Sequence, residues 1–204
     1  MSKREEQKEL KRKHILEAGL NTFTSQGFTA TKLDDVAKDA GVAKGTIYLY
    51  FDSKEALFED VIRECLFPAI DEVEDLIAEF DGSASELLTM QLKHFYSTMG
   101  KDKIPQILSL LIGEGARFPK LSEFFFREMI SRNQEYMRFI IKKGVESREF
   151  RDTNVEEFTQ ILVAPAIISA IWTVQFGKIS PLDLEAFAQT HIDLLLKGLM
   201  ACNS

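Results

Sequence analysis

Within seven residues the chain sets out an ammonium, a hydroxyl and two phenols, on Lys44, Thr46, Tyr48 and Tyr50. Groups of these types donate hydrogen bonds to phosphate oxygens and reach the edges of bases. Gly45 sits among them and allows a close backbone approach. Other chemistry is scarce. His14, His94 and His191 fall in separate segments, without HExxH or Cys/His ligand spacing. GxSxG, GxGxxG and a GxxxxGK phosphate loop are all missing. No catalytic residue, metal ligand or cofactor is expected, so the chain is not expected to be an enzyme. Cys65 and Cys202 are the two thiols and neither has a CxxC partner, which suits a reducing compartment without a disulfide framework.

The polar row needs a frame, and the residues before it supply one. Leu33, Val36, Ala37 and Ala40 recur at i, i+3, i+4 and i+7, the apolar stripe of a short helix. Thr31 is the expected cap of that helix, with Asp34 three positions on. Gly41 should stop it with a positive φ. A second short helix follows Val42, with Ile47 and Phe51 spaced to pack back on the first. Two short helices joined by a glycine turn make a helix-turn-helix. The amino end of its first helix, at Thr31 and Lys32, suits a phosphate because free N–H groups and the helix dipole favour an anion there.

The run from Gly27 to Phe58, GFTATKLDDVAKDAGVAKGTIYLYFDSKEALF, closely resembles the DNA-binding domain of the TetR family of bacterial transcriptional regulators. The resemblance spans roughly residues 11–62 and rests on the GF before the motif, the AGV turn, KGTIYLYF and SKEAL. It implies that Lys44, Gly45, Thr46, Tyr48 and Tyr50 occupy the positions that usually touch DNA. It adds Lys54 as a phosphate contact at the start of the fourth helix. Position 43 is Ala, where such sequences often carry Ser or another capping residue, so a cap and one phosphate contact are given up.

The chain has 204 residues, 45% of them hydrophobic and 28% charged, a composition suited to a soluble globular protein with a sizeable core. Its net charge of −7 is uneven. Residues 1–51 hold nine Lys/Arg against seven Asp/Glu, and the remainder sixteen against twenty-five. Local basic groups, not total charge, set affinity for DNA, and Lys11, Arg12 and Lys13 lie near the start of the first helix. The most apolar run, 161–174, is too short to span a bilayer. The charged N-terminus is no signal peptide, so a cytoplasmic location is expected.

The patterning is all-α, with about nine helices and no alternating β pattern. A tail over 1–7 precedes a helix to about Ser25. Asp52 and Glu55 are the expected capping pair of a fourth helix that Pro68 should kink or divide. Further helices are expected at about 84–99, 105–113, 118–147, 154–177 and 181–200. The expected domains are 1–55 for DNA binding and 56–204 for ligand binding and dimerisation. Following the resemblance, the body is expected to take a small apolar or amphipathic ligand. Candidate lining residues are His94, Phe95, Met99, Leu111, Phe118, Phe125, Met129, Trp172 and Phe176, with Glu114, Arg117 and Gln175 as further polar candidates. Two surfaces are too apolar to stand exposed, Ile161, Ile168 and Ile171 on one helix and Phe187, Leu195 and Leu199 on the last. They are the candidate homodimer interface. The expected function is a ligand-responsive repressor; an activator of the same fold, or an interaction adaptor without operator binding, are the alternatives.

Overall fold

The computed structural model describes residues 2–101 and 103–201; Cys202 lies outside them. The described residues form helices α1 (Lys3–Gln26), α2 (Leu33–Asp39), α3 (Lys44–Ile47), α4 (Lys54–Glu79), α5 (Ala84–Met99) and α6 (Ile104–Glu114). Then come α7 (Pro119–Phe125), a π-helical turn (Phe126–Ile130) and α8 (Ser131–Glu146) without a break, followed by α9 (Gln160–Phe176) and α10 (Leu184–Leu199). With α7, the π turn and α8 counted as one, that is the all-α architecture of about nine helices read from the sequence. An isolated bridge between Phe150 and Met200 is the sole β pairing among the described residues.

Three helix starts differ from expectation, each for a local reason. The first helix begins at Lys3, because Ser2 and Glu5 close a reciprocal box: the Glu5 amide donates to the Ser2 hydroxyl at 3.3 Å and the Ser2 amide to the Glu5 carboxylate at 2.6 Å. At α2 the cap position is Lys32, whose amide donates to the Asp35 carboxylate at 3.3 Å. Thr31 is instead buried, its hydroxyl donating to the Gly27 carbonyl at 2.7 Å. At α4 it is Ser53, not Asp52, whose hydroxyl accepts from the Ala56 amide at 3.1 Å. Pro68 lies inside α4 without ending it, since a proline costs one N–H bond and its neighbours hold the helix.

The chain divides into two compact units, residues 2–68 with 110–124, and residues 69–109 with 125–201. The first therefore reaches thirteen residues beyond the expected boundary at 55, because α4 runs on without a break, and it takes in a later segment. Its core is Ile15, Leu16, Phe23, Phe28, Val36, Ile47, Leu57, Phe58 and Ile62. Phe23, Phe28 and Phe58 form an aromatic knot with centroids 4.7 to 5.8 Å apart, and Phe118 meets Phe28 edge-on at 4.7 Å.

In the second unit α5 is the central helix, and Leu87, Leu88 and Leu92 pack with Met137, Ile140, Ile141, Leu162 and Ile192. Glu149 clasps the head of α5. Its carboxylate accepts the Ala84 amide at 2.8 Å, the Ser85 amide at 3.1 Å and the Ser85 hydroxyl.

Candidate nucleic-acid interface

The helix-turn-helix is set by its turn. Gly41 takes φ +65°, its amide donates to the Lys38 carbonyl at 3.2 Å, and the Val42 amide donates to the Ala37 carbonyl at 2.9 Å. This pairing of crossed bonds closes α2 and fixes the direction in which the chain leaves it. α3 then starts at Lys44, and Ala43 before it provides no side-chain cap, as the missing Ser implies. Ile47 and Phe51 are buried behind it, at 0% and 3% exposure. Four residues apart, these two anchor one face of the segment and leave the other to solvent.

On that outer face stand Lys44 and Gly45, with Tyr48 at 50% exposure and Leu49 at 78%. Thr46 and Tyr50 are half-buried. Lys44 Nζ lies 2.9 Å from the Asp34 carboxylate, and this bond raises its pKa above the ordinary value. The pair is exposed, so a phosphate can displace it readily. Sequence reasoning passed over Leu49. The signal was present, since the buried spacing of Ile47 and Phe51 places Leu49 on the opposite side of the segment, where an apolar group can meet a thymine methyl.

Two charged residues assigned to ligands by the sequence have other occupations. Lys54 donates to the carbonyls of Phe28 at 2.7 Å, Thr31 at 3.1 Å and Thr29 at 3.4 Å, and its ammonium lies 4.5 Å from the centre of the Phe28 ring. Three donors meet three acceptors, so Lys54 staples the loop between α1 and α2. Glu114 holds the same loop from the other side. Its carboxylate accepts the Phe28 and Thr29 amides, each at 2.9 Å, and the Thr29 hydroxyl at 2.5 Å. Arg12 is likewise engaged, 2.7 Å from Asp60, whereas the side chains of Lys11, Lys13 and Lys32 carry no such bond among the described residues. Thr31 is 2% exposed and is corrected from a direct phosphate contact to a core hydroxyl; Lys32 beside it is exposed.

The candidate ligand residues are divided between the two units. Leu111 and Phe118 belong to the first unit, Phe118 as part of the aromatic knot. His94, Phe95, Met99, Phe125 and Met129 belong to the second, Met99 buried and the others half-buried. Trp172 and Phe176 are exposed at 38% and 47%, with rings 4.9 Å apart. Of the dimer candidates, Ile161 and Ile168 are exposed at 58% and 54% and Ile171 is half-buried. The last helix is turned the other way. Leu199 is 3% exposed, Phe187 packs towards Tyr96 and Leu195 lies against the core, whereas Leu194 is 65% exposed. A step of one residue turns a helix by about 100°, so an apolar stripe read from sequence can belong to either side.

Comparison with known proteins agrees with this geometry. Residues 15–61, which span the helix-turn-helix, match the model for bacterial regulatory proteins, tetR family. Residues 15–61 thus carry the N-terminal domain of the TetR family. The chain is 24% identical over 195 residues to the fatty acid metabolism regulator protein of Bacillus subtilis strain 168, covering 95% of this chain and 97% of that one. Identity is higher over a shorter stretch of another relative, the regulator RutR of Escherichia coli strain K12, at 48% over 56 residues, or 28% of this chain and 26% of RutR. Among solved structures, the regulator FadR of Bacillus subtilis in complex with stearoyl-CoA superposes with a TM-score of 0.73 at 25% identity, over 91% of this chain and 97% of that one. The chain is thus a transcriptional regulator and not an enzyme. Among its described residues no cluster of His, Cys, Asp or Glu could hold a metal, and no helix is long and apolar enough to cross a membrane.

Proposed function

We propose that this regulator is a cytoplasmic, homodimeric repressor that reads a near-palindromic operator and is released by a small apolar or amphipathic molecule. The observation that carries the DNA-reading part is the exposed row Lys44, Gly45, Tyr48 and Leu49 on a segment anchored from behind by Ile47 and Phe51. In this reading Lys44 contacts phosphate or a guanine edge, Gly45 admits the backbone, and Tyr48 donates to phosphate. Thr46, Tyr50 and Lys32 contribute at the margins of the same surface.

The dimer part rests on α9. Leu162, Val163, Ala166 and Ala170 bury one face, while Ile161, Ile168 and Trp172 stand at i, i+7 and i+11 on the other. A helix that is apolar on both sides needs a second surface to cover it, and a two-fold contact does so with one patch. Two-fold pairing would in turn present two recognition segments to half-sites about one helical turn apart. The ligand part is supported by the similarity to FadR, whose complex contains stearoyl-CoA. A ligand releases the operator only if it binds the released conformation more tightly than the DNA-bound one.

Selection of bound duplexes from a random pool at two salt concentrations tests the reading. A palindrome with salt-sensitive affinity is expected, and Ile168→Glu should yield a folded monomer with weakened operator binding. Failure to enrich any sequence, with folded dimer in hand, would overturn it.

A further inference from the structure

Four buried side-chain oxygens in the second unit have no hydrogen-bond partner: Gln91 Oε1 and Thr98 Oγ1 on α5, Gln106 Oε1 on α6, and Thr159 Oγ1 at the head of α9. Buried polar atoms are paired in the great majority of cases, and an unpaired one carries a desolvation penalty until something binds it. Thr98 is conspicuous among the helical threonines. Thr22, Thr24, Thr89, Thr173 and Thr190 each donate to the carbonyl four residues back, and Thr98 does not. Gln91 and Thr98 are exposed by only 2% and 5%.

Their spacing gives them one address. Seven residues apart on α5, they share a single line of the helix, about 10 Å from end to end. His94 stands between them and to one side, and its imidazole is committed to α4, with Nε2 2.9 Å from the Ala69 carbonyl and Nδ1 3.8 Å from Glu72. Asp71 of α4 pairs with Arg132 at 3.3 Å. No Lys or Arg side chain is among the buried residues described. The line thus offers acceptor oxygens and a hydroxyl to whatever lies against α5, with no buried cation beside them.

We propose that the effector of this regulator is an uncharged amphipath carrying O–H or N–H donors, read by Gln91 and Thr98, and that carboxylates and acyl-CoA thioesters are poor ligands. This rests on the ligand-responsive reading above and narrows its chemical class. A donor-bearing ligand satisfies the free oxygens, whereas an anion would meet the Gln91 oxygen and find only the Thr98 hydroxyl as a free donor, with no buried Lys or Arg to balance its charge.

The test uses 1,8-octanediol, octanoate and octanoyl-CoA as probes of matched chain length, with calorimetric titration and thermal melting of the full-length protein. The diol should bind at least about tenfold more tightly than either anion, a difference typical of one well-placed hydrogen bond to a buried group. Gln91→Leu and Thr98→Val should each raise the melting temperature of the free protein, because an unpaired polar atom is removed, and should abolish the preference for the diol. A wholly structural role would lower that temperature. Equal or tighter binding of octanoate or octanoyl-CoA overturns the proposal, as do variants that melt lower with probe selectivity unchanged. Absence of binding by all three probes overturns it too, and leaves operator recognition standing. Selective diol binding that does not alter operator affinity upholds the ligand class and refutes the release mechanism.

Discussion

Lys54 separates two readings of a basic residue, and Lys54→Met tests which applies. Methionine keeps most of the unbranched stem and removes the ammonium, which bonds the Phe28 and Thr31 carbonyls at 2.7 and 3.1 Å and the Thr29 carbonyl at 3.4 Å. The first two bonds are partly buried, and each is worth about 1 kcal/mol net. The third is exposed, and water replaces it at little cost. The ammonium lies 4.5 Å from the Phe28 ring centre, adding about 0.5 kcal/mol. The sum is about 2–3 kcal/mol, which lowers the melting temperature of a chain this size by about 5–10 °C. Scanning calorimetry reads that shift, and fluorescence anisotropy on the selected operator reads the salt slope. Lys44→Ala is the comparison. Lys44 pairs with Asp34 on the surface, so its loss should leave the melting temperature unchanged while the slope of log K against log salt falls by about 1 per half-site. If Lys54→Met melts like the wild type and reduces the salt slope as Lys44→Ala does, Lys54 is a phosphate contact and the staple is wrong.

Further outcomes follow from the glycines and the buried titratable groups. Gly27 has φ +82° and an added Cβ would lie 2.8 Å from Glu114 Oε1, so Gly27→Ala should cost about 2–4 kcal/mol in denaturant unfolding through strain and a displaced carboxylate. Gly41 has φ +65° but open space around it, so Gly41→Ala should cost only about 1 kcal/mol. Burial pushes the Glu149 carboxyl up, but bonds from the Ser85 hydroxyl and the Ser85 and Ala84 amides outweigh it and hold the pKa below 4.5. The folded state then binds fewer protons than the unfolded one. This contribution is complete above about pH 4.5 and is lost as pH falls through the folded value, and Glu149→Gln should flatten the wild-type decline in that window. Burial depresses the His191 pKa below 6.5 and raises that of Tyr96, 3.0 Å from its Nδ1, to about 12. Stability from His191 is therefore full above pH 6.5 and falls as the medium is acidified below it, a decline that His191→Gln should remove in denaturant midpoints measured between pH 7 and 5.

Period and punctuation carried most of the fold in the sequence. Leu33, Val36 and Ala37 marked α2, Gly41 marked its end, and the pair Ser83 and Glu86 stands at the head of α5, which begins at the expected residue 84. What stayed hidden depends on contacts between residues far apart in the chain. Nothing local distinguishes Lys54 as a staple from Lys54 as a phosphate contact, because the three carbonyls it meets lie 23 to 26 residues earlier. Glu114 is the same case at a separation of 85 or 86. The last helix shows a different limit. Its periodicity announced an amphipathic helix, yet whether Phe187, Leu195 and Leu199 faced the protein's own core or a second subunit was a question of partner, and the apolar pattern is identical in both cases.

The same contacts sort the cations of the helix-turn-helix unit into two groups, in a chain of net charge −7. The helix-turn-helix unit has few cations to give, and the structure divides them by burial. Arg12 and Lys54 are turned inward: Arg12 ties α1 to α4 through Asp60, and Lys54 holds the α1–α2 loop that leads into α2. Lys32 and Lys44 remain outward, with Lys11 and Lys13 exposed on α1. Orientation and affinity are thus assigned to different residues. A substitution among the inward cations alters the angle at which the recognition segment is offered, and so affects binding at every salt concentration. One among the outward cations removes a counterion-releasing contact, and its effect fades as salt rises. The pattern of salt dependence, more than the loss of affinity itself, therefore distinguishes a cation that builds the surface from one that uses it.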